Sequence, residues 1–245
     1  MAEEWYEGTS FFRRFSFRFG DCDSCKRASL YTMMKLLTEI AGDDYEGRGF
    51  GHKRLQEHGQ VFLISRMSLV FDRIPEYADN IIAETWERTV RGPYFNRDYE
   101  ILSDNGEKLV SGSSQWFLAD PASREILRPN SLPVGPRQSS LRKSDCPECK
   151  KIKKPDNLPV LGHRPIYYSD LDGNGHVNNA VYGKIAVDYL PDALRQKAIK
   201  TFTVNYNFET KSDETLEMHG TETENGYLIQ GVCCDKLHFC CEFGY

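Results

Sequence analysis

Two stretches of the chain place apolar residues along one side of a helix. Leu30, Met33, Met34, Leu37 and Ile40 recur at three- and four-residue spacing, which predicts an amphipathic helix. Ala41 and Gly42 follow, and Gly42 reads as its C-terminal stop. Far downstream, Val181, Ile185, Ala186 and Tyr189 form a second such face, with Asn178 or Asn179 as the cap and Pro191 as the end. Long strand-like runs follow each helix. The first set covers residues 61–74, 80–91, 94–103 and 108–120, and Asp104, Asn105 and Gly106 form a hairpin signal between the last two. The second set covers 198–208, 214–223, 227–234 and 237–243, with turns expected at Asn225–Gly226 and Asp235–Lys236. Each half therefore reads as a strand, a central helix and an antiparallel meander. This is an α+β arrangement in which a curved antiparallel sheet wraps a helix.

The segments entering the two helices resemble each other. FGDCDSCKRAS (19–29) aligns without gaps on YSDLDGNGHVN (168–178). Asp21 matches Asp170, Asp23 matches Asp172, Cys25 falls opposite Asn174, and Arg27 opposite His176. The expected organisation is a first domain over 1–130, a linker over 131–157 and a second domain over 158–245. The linker is rich in Pro, Ser and Lys without a clear period. Its cations, Arg137, Arg142, Lys143, Lys150, Lys151, Lys153 and Lys154, read either as a solvated segment or as a docking surface for an acidic carrier protein.

Composition narrows the class. A chain of 245 residues with 40% hydrophobic and 27% charged residues is that of a globular protein. A net charge of −5 argues against broad nucleic-acid binding. No apolar run reaches the roughly 18 residues of a membrane span. The acidic start MAEEWYEGTS lacks the apolar core of a signal peptide, so a cytoplasmic location is expected. Eight cysteines in a reducing compartment read as free thiols, and Cys233, Cys234, Cys240 and Cys241 as small apolar residues of strands. Cys22-x-x-Cys25 and Cys146-x-x-Cys149 together have the composition of a zinc site, although far apart in sequence; free thiols are the preferred reading.

The chemistry concentrates in DGNGHVNN (172–179). Alternate residues of an extended segment point the same way, so Asp172, Asn174 and His176 can face one cleft. A histidine takes protons near neutral pH, an asparagine amide donates to a developing oxyanion, and an aspartate orients either neighbour. A polar loop that merely caps the helix is the competing reading. The first copy keeps the aspartates and the helix without the asparagine and histidine. The fold therefore does not need those two residues.

LDGNGHVNNAVY resembles the active-site segment D-x-N-x-H-V-N-N of the acyl-acyl carrier protein thioesterases. FSFRFGDCDSCKRASLYTMMKLLTEIAG, VFLISRMSLVFDRIPEYADNIIAETW and SGSSQWFLADPASREILRP resemble the first domain of that family, in order. The resemblance runs from about Phe15 to the C-terminus. It implies tandem hot-dog domains and hydrolysis of a fatty acyl thioester on acyl carrier protein, with Asp172, Asn174 and His176 in the site. It places a further carboxylate at Glu209. Plant members carry a cysteine beside that carboxylate; Thr210 stands there in this chain, which argues against a covalent cysteine mechanism. Losing the Thr210 hydroxyl is accordingly expected to change activity little. The first half is implied to supply the acyl pocket, with Met33, Met34 and Leu37 weighed as wall residues against plain core packing. No cofactor, nucleic acid or membrane is called for, and a monomer or homodimer is expected. Alternatives on the same fold are an acyl-coenzyme A thioesterase and a non-catalytic acyl-thioester-binding protein.

Overall fold

The computed structural model describes residues 3–132, 139–153, 155 and 157–245. The first half contains strands β1 (Glu4–Glu7) and β2 (Ser10–Ser16), helices α1 (Leu30–Gly47) and α2 (His52–Glu57), and strands β3 (Val61–Phe71), β4 (Asn80–Glu87), β5 (Tyr94–Ser103) and β6 (Lys108–Ala119). The second contains β7 (Val160–Pro165), α3 (Asn179–Asp188), α4 (Asp192–Arg195), β8 (Thr201–Tyr206), β9 (Thr215–Thr223), β10 (Gly226–Cys233) and β11 (Lys236–Gly244). The expected α+β fold is present, with a helix against an antiparallel sheet in each half.

The described strands form one sheet in the order β1-β2-β4-β5-β6-β3-β8-β11-β10-β9-β7. Read inward from the edges, β2-β4-β5-β6-β3 and β7-β9-β10-β11-β8 are the same pattern used twice. The halves meet where β3 pairs antiparallel with β8, with Arg66 opposite Asn205 and Leu69 opposite Phe202. The seam is thus a full strand pair and not a loose domain contact.

Helices α1 and α3 pack against each other on the inner face of this sheet. Ser29 caps α1 by accepting from the Thr32 N–H at 3.2 Å, and Asn178 caps α3 by accepting from the Ala180 N–H at 2.9 Å. The close approach depends on Gly183. A Cβ there would stand 2.5 Å from the Met34 Sδ and 3.3 Å from Leu30. Met33, Met34, Leu37 and Ile40 join Ile185, Phe202, Val204 and Phe239 in a core shared by both halves.

Three local expectations are corrected. Helix α1 does not stop at Gly42 but runs to Gly47. The extra turn carries Asp44 inward to a buried pair with Arg97 of β5, 2.8 Å apart. Gly42 thus sits inside the helix, where a glycine costs roughly 1 kcal/mol relative to alanine. Gly226 is not a turn residue: it opens β10, where a Cβ would meet the Phe243 carbonyl oxygen at 1.7 Å. The final hairpin turns at Cys234 and Asp235, both at positive φ (50° and 59°), one residue earlier than expected. Helices α2 and α4 are too short to leave a periodic signal.

The described part of the linker, residues 139–153, is a strap across the outer face of the sheet, not a solvated segment. It crosses the strands one after another. Ser140 N–H donates to the Glu87 carbonyl at 2.8 Å. Arg142 bonds Glu84 of β4 and Glu100 of β5, while its carbonyl accepts from Trp86 Nε1 at 3.0 Å. Ser144 N–H donates to Asp98 at 3.0 Å, and its hydroxyl to the Gly112 carbonyl. Asn205 of β8 donates to the Lys150 carbonyl and accepts from the Ile152 N–H. Covered on both faces, β5 buries Arg97, Asp98 and Tyr99 in succession. Of the strap's cations, Arg142 is engaged by carboxylates, Lys150, Lys151 and Lys153 are exposed, and Arg137 and Lys154 lie outside the described residues. Among the described residues, no helix is long and apolar enough to cross a membrane.

Candidate functional site

The loop entering α3 is built by its aspartates. Asp172 Oδ1 accepts the backbone N–H of Asn174 at 2.8 Å and of His176 at 3.4 Å, and Asp172 N–H donates to the His176 carbonyl at 2.8 Å. Gly175 takes a φ of +75°, which favours glycine. The first copy has the same frame. Asp23 Oδ1 accepts the N–H groups of Cys25 and Arg27 at 2.8 and 3.0 Å, and Asp23 N–H donates to the Arg27 carbonyl at 2.7 Å. Asp172 therefore shapes the loop through its backbone, as its counterpart does. The two side chains that differ, Asn174 and His176, are carried outward by it.

The segment after β8 then docks on this loop. Val177 N–H donates to the Thr210 carbonyl at 2.8 Å, and His176 forms a bridge with Lys211. Glu209 is brought beside the imidazole, with Oε2 3.4 Å from His176 Nε2. Its other oxygen, Oε1, accepts from Arg124 Nη1 at 2.6 Å. Arg124 comes from the first half, on a turn after β6 built by Asp120, whose Oδ1 accepts the N–H groups of Ala122 and Ser123 at 2.8 Å each. Those two bonds hold the Asp120 carboxyl below its usual pKa. The local sequence gave no sign of Arg124, because its partner is 85 residues away on the other half.

Asp172, Asn174, His176 and Glu209 line one cavity of about 220 Å³. The first half closes it with His52 of α2 and Val61, Phe62 and Ile64 of β3. The Asn174 side-chain amide makes no hydrogen bond among the described residues and is exposed into this space. His52, Val61 and Phe62 also line a second, apolar cavity of about 170 Å³ beside α1. Its wall is formed by Thr38, Ala41, Gly42 and Tyr45, with Arg97 at its end. Met34 and Leu37 are not in that wall; they are core residues, and Met33 faces a different cavity.

Thr210 points away from the cavity. Its side chain is fully buried, with Oγ1 accepting from the Tyr182 hydroxyl at 2.9 Å and lying 2.8 Å from His238 Nδ1. Its own N–H donates to the Tyr182 oxygen at 3.1 Å. Burial raises the Tyr182 phenol to about 12 and lowers the His238 pKa. Both groups are therefore uncharged at neutral pH, and the trio is a structural brace beneath Glu209.

The cysteine pairs do not gather into one zinc site. Cys146 and Cys149 are buried under the strap, donating to the Ser68 and Ser113 carbonyls at 3.3 and 3.2 Å. Burial pushes the Cys149 thiol up to about 11, which opposes metal-binding thiolate. Cys22 donates to the Arg18 carbonyl and Cys25 is exposed. Among the described residues, the grouping with ligand atoms within 4.8 Å of one another is Glu214, Cys233 and His238.

The family model described as the acyl-ACP thioesterase N-terminal domain matches residues 8–130, and the model of the C-terminal domain matches residues 160–233. The chloroplastic palmitoyl-acyl carrier protein thioesterase of Gossypium hirsutum is 26% identical over 250 residues, covering 94% of this chain and 60% of its own length. The chloroplastic oleoyl-acyl carrier protein thioesterase 2 of Arabidopsis thaliana is 25% identical, covering 89% and 65%. The chain thus spans about 60% of the length of such curated relatives. Among solved structures, the 12:0-ACP thioesterase from Umbellularia californica superposes with a TM-score of 0.84 at 19% identity, covering 98% of both chains. The acyl-ACP thioesterase from Bacteroides thetaiotaomicron gives 0.79 at 22% identity, covering 96% of this chain and 97% of its own. At these identities the structural likeness establishes the tandem hot-dog fold. With both domain models matched in order along most of its length, the chain belongs to the acyl-ACP thioesterase family.

Proposed function

We propose that this chain hydrolyses the thioester of a fatty acyl group carried on acyl carrier protein. The observation that carries the reading is the single cavity lined by a free Asn174 amide and the His176–Glu209 pair, next to an apolar cavity beside α1 that shares His52, Val61 and Phe62 with it. The amide donates to the thioester carbonyl and to the oxyanion that replaces it. A water held between His176 and Glu209 attacks the carbonyl carbon, and His176 takes its proton while Glu209 faces the charge that develops on the ring. Collapse of the tetrahedral intermediate breaks the C–S bond, and the proton passes from His176 to the departing thiolate. Arg124 fixes Glu209 from the far side, and Asp172 fixes the loop. The buried Thr210 hydroxyl supports attack by water over a covalent acyl-enzyme.

The acyl tail runs beside Thr38, Ala41 and Gly42, gaining about 0.8 kcal/mol per buried methylene. The cavity's polar lining includes Arg97, held from behind by Asp44, with the Tyr45 ring against the guanidinium. One methylene changes binding by only about 1–3 kcal/mol, so the enzyme prefers a range of chain lengths. The division into an acyl-binding half (1–130), a linker (131–157) and a reacting half (158–245) is supported by the placement of these groups. Pairing of β3 with β8 within one chain supports a monomer as a complete unit.

The test is hydrolysis of acyl carrier protein loaded with acyl chains of graded length, beside the same acyl groups on coenzyme A. Replacing His176 by Ala lowers turnover at least about a hundredfold. A rate equal to wild type refutes the assignment. Faster turnover of the coenzyme A thioesters moves the substrate class to that carrier.

A further inference from the structure

The duplicated frame creates a second cavity at the matching place on the other side of the molecule. Val177 donates to the Thr210 carbonyl, and its counterpart Ala28 donates to the Pro75 carbonyl at 2.7 Å. Ile74 therefore stands where Glu209 stands. By the same register Arg27 replaces His176, Leu30 replaces Asn179 and Met33 replaces Tyr182. The reacting groups are gone, yet the space is larger, about 410 Å³ against 220 Å³. That volume lies within the range of roughly 300–1,000 Å³ occupied by small-molecule sites.

Arg27 does not offer itself to a ligand. It pairs with Asp23 at 3.0 Å, and its Nη1 and Nη2 donate to the Gln196 and Arg195 carbonyls at 3.2 and 3.1 Å, tying the first loop to the end of α4. Apart from Asp188, exposed one turn after Lys184, the remaining lining has two main characters. Leu30, Met33, Phe71, Ile74, Leu190 and Ile199 make an apolar wall. Lys184 and Lys197 are exposed cations at its edge, and neither forms an ion pair among the described residues. Tyr245 also lines the cavity, and its hydroxyl, buried beside it, has no hydrogen-bond partner among the described residues. Burial raises that phenol to about 12, so it remains a donor at neutral pH.

We propose that this second cavity binds a long-chain carboxylate, its alkyl tail against the Leu30–Ile74–Ile199 wall and its head group between Lys184, Lys197 and the Tyr245 hydroxyl. The chemistry of the lining selects an amphiphile with one anionic end. An orphan donor and two cations without ion pairs suit a carboxylate, and among the described residues neither a histidine nor a glutamate lines this cavity. That the natural ligand is a free fatty acid released by the chain itself rests on the thioesterase reading; the binding of an alkyl carboxylate does not.

Dodecanoate titrated into the full chain by calorimetry tests this. Lys184→Glu with Lys197→Glu weakens one site at least about tenfold, so the variant binds one equivalent fewer than wild type. Tyr245→Phe, which preserves shape, weakens the same site several-fold through one lost hydrogen bond. Hydrolysis at low product concentration stays at the wild-type rate in both variants, since neither touches the Asn174–His176–Glu209 pocket. Equal stoichiometry and affinity in wild type and the charge-reversed variant overturn the proposal. Failure of the thioesterase reading shows separately, as absent turnover with the one-equivalent difference intact.

Discussion

Thr210 illustrates how one buried hydroxyl serves position instead of reaction. Its oxygen lies between the Tyr182 hydroxyl and His238 Nδ1, all deep in the second half. Thr210→Ala leaves both partners short of a hydrogen bond, which costs about 1–3 kcal/mol for each buried group so orphaned. The expected outcome is a clearly lowered melting temperature with turnover per folded molecule within about twofold of wild type. Thermal denaturation and active-site-normalised kinetics measure the two. Unaltered stability shows the brace to be unimportant; a turnover collapse in folded protein returns the hydroxyl to the chemistry. The sequence alone suggested a near-silent substitution, because the family position beside the carboxylate says nothing of which way the side chain turns. By contrast Asn174 and His176 were legible, since their alternation sits in one segment and the first copy lacks them. Glu209 was legible only through resemblance.

At the scale of elements, the turn after β6 is the part of the site that sequence patterning left out. Nothing periodic marks residues 120–126. The turn is set by two backbone bonds to Asp120, and Arg124 sits at a φ of +64°. The Arg124 N–H donates to the Asp120 carbonyl at 2.9 Å, and the side chain reaches Glu209 across the seam between halves. Arg124→Ala frees one carboxylate oxygen and lets Glu209 swing from His176. A displacement near 1 Å at a reacting group costs up to about a hundredfold, so kcat falls by ten- to a hundredfold with KM little changed. Arg124→Lys recovers part of it, lacking only the planar fork. Equal kcat in all three proteins removes Arg124 from the machinery. The strap escaped prediction for a related reason. Many of its anchors are backbone groups and single polar side chains, and a Pro-, Ser- and Lys-rich composition records neither. The long strands were legible to within a few residues because burial on the inner face imposes a strict alternation. Turn positions moved by one residue where strand packing, not turn preference, placed the glycine.

The described residues form one sheet and one principal core drawn from both halves. Leu37 and Phe202, from different halves, belong to the same buried cluster, and the strap is bonded to β4, β5, β6, β3 and β8 in turn. Such a body unfolds as a unit, even though it is built from two similar pieces. Calorimetry is expected to show one transition whose van't Hoff and calorimetric enthalpies agree. Two resolved transitions show that the seam is weaker than its strand pairing indicates. Joining β3 to β8 inside one polypeptide also breaks a constraint on inheritance. In a pair of identical subunits every substitution lands at both mouths together, so improving one alters the other. A tandem chain can mutate each mouth alone, and here one is lined by His176, Glu209 and Tyr182 where the other has Arg27, Ile74 and Met33.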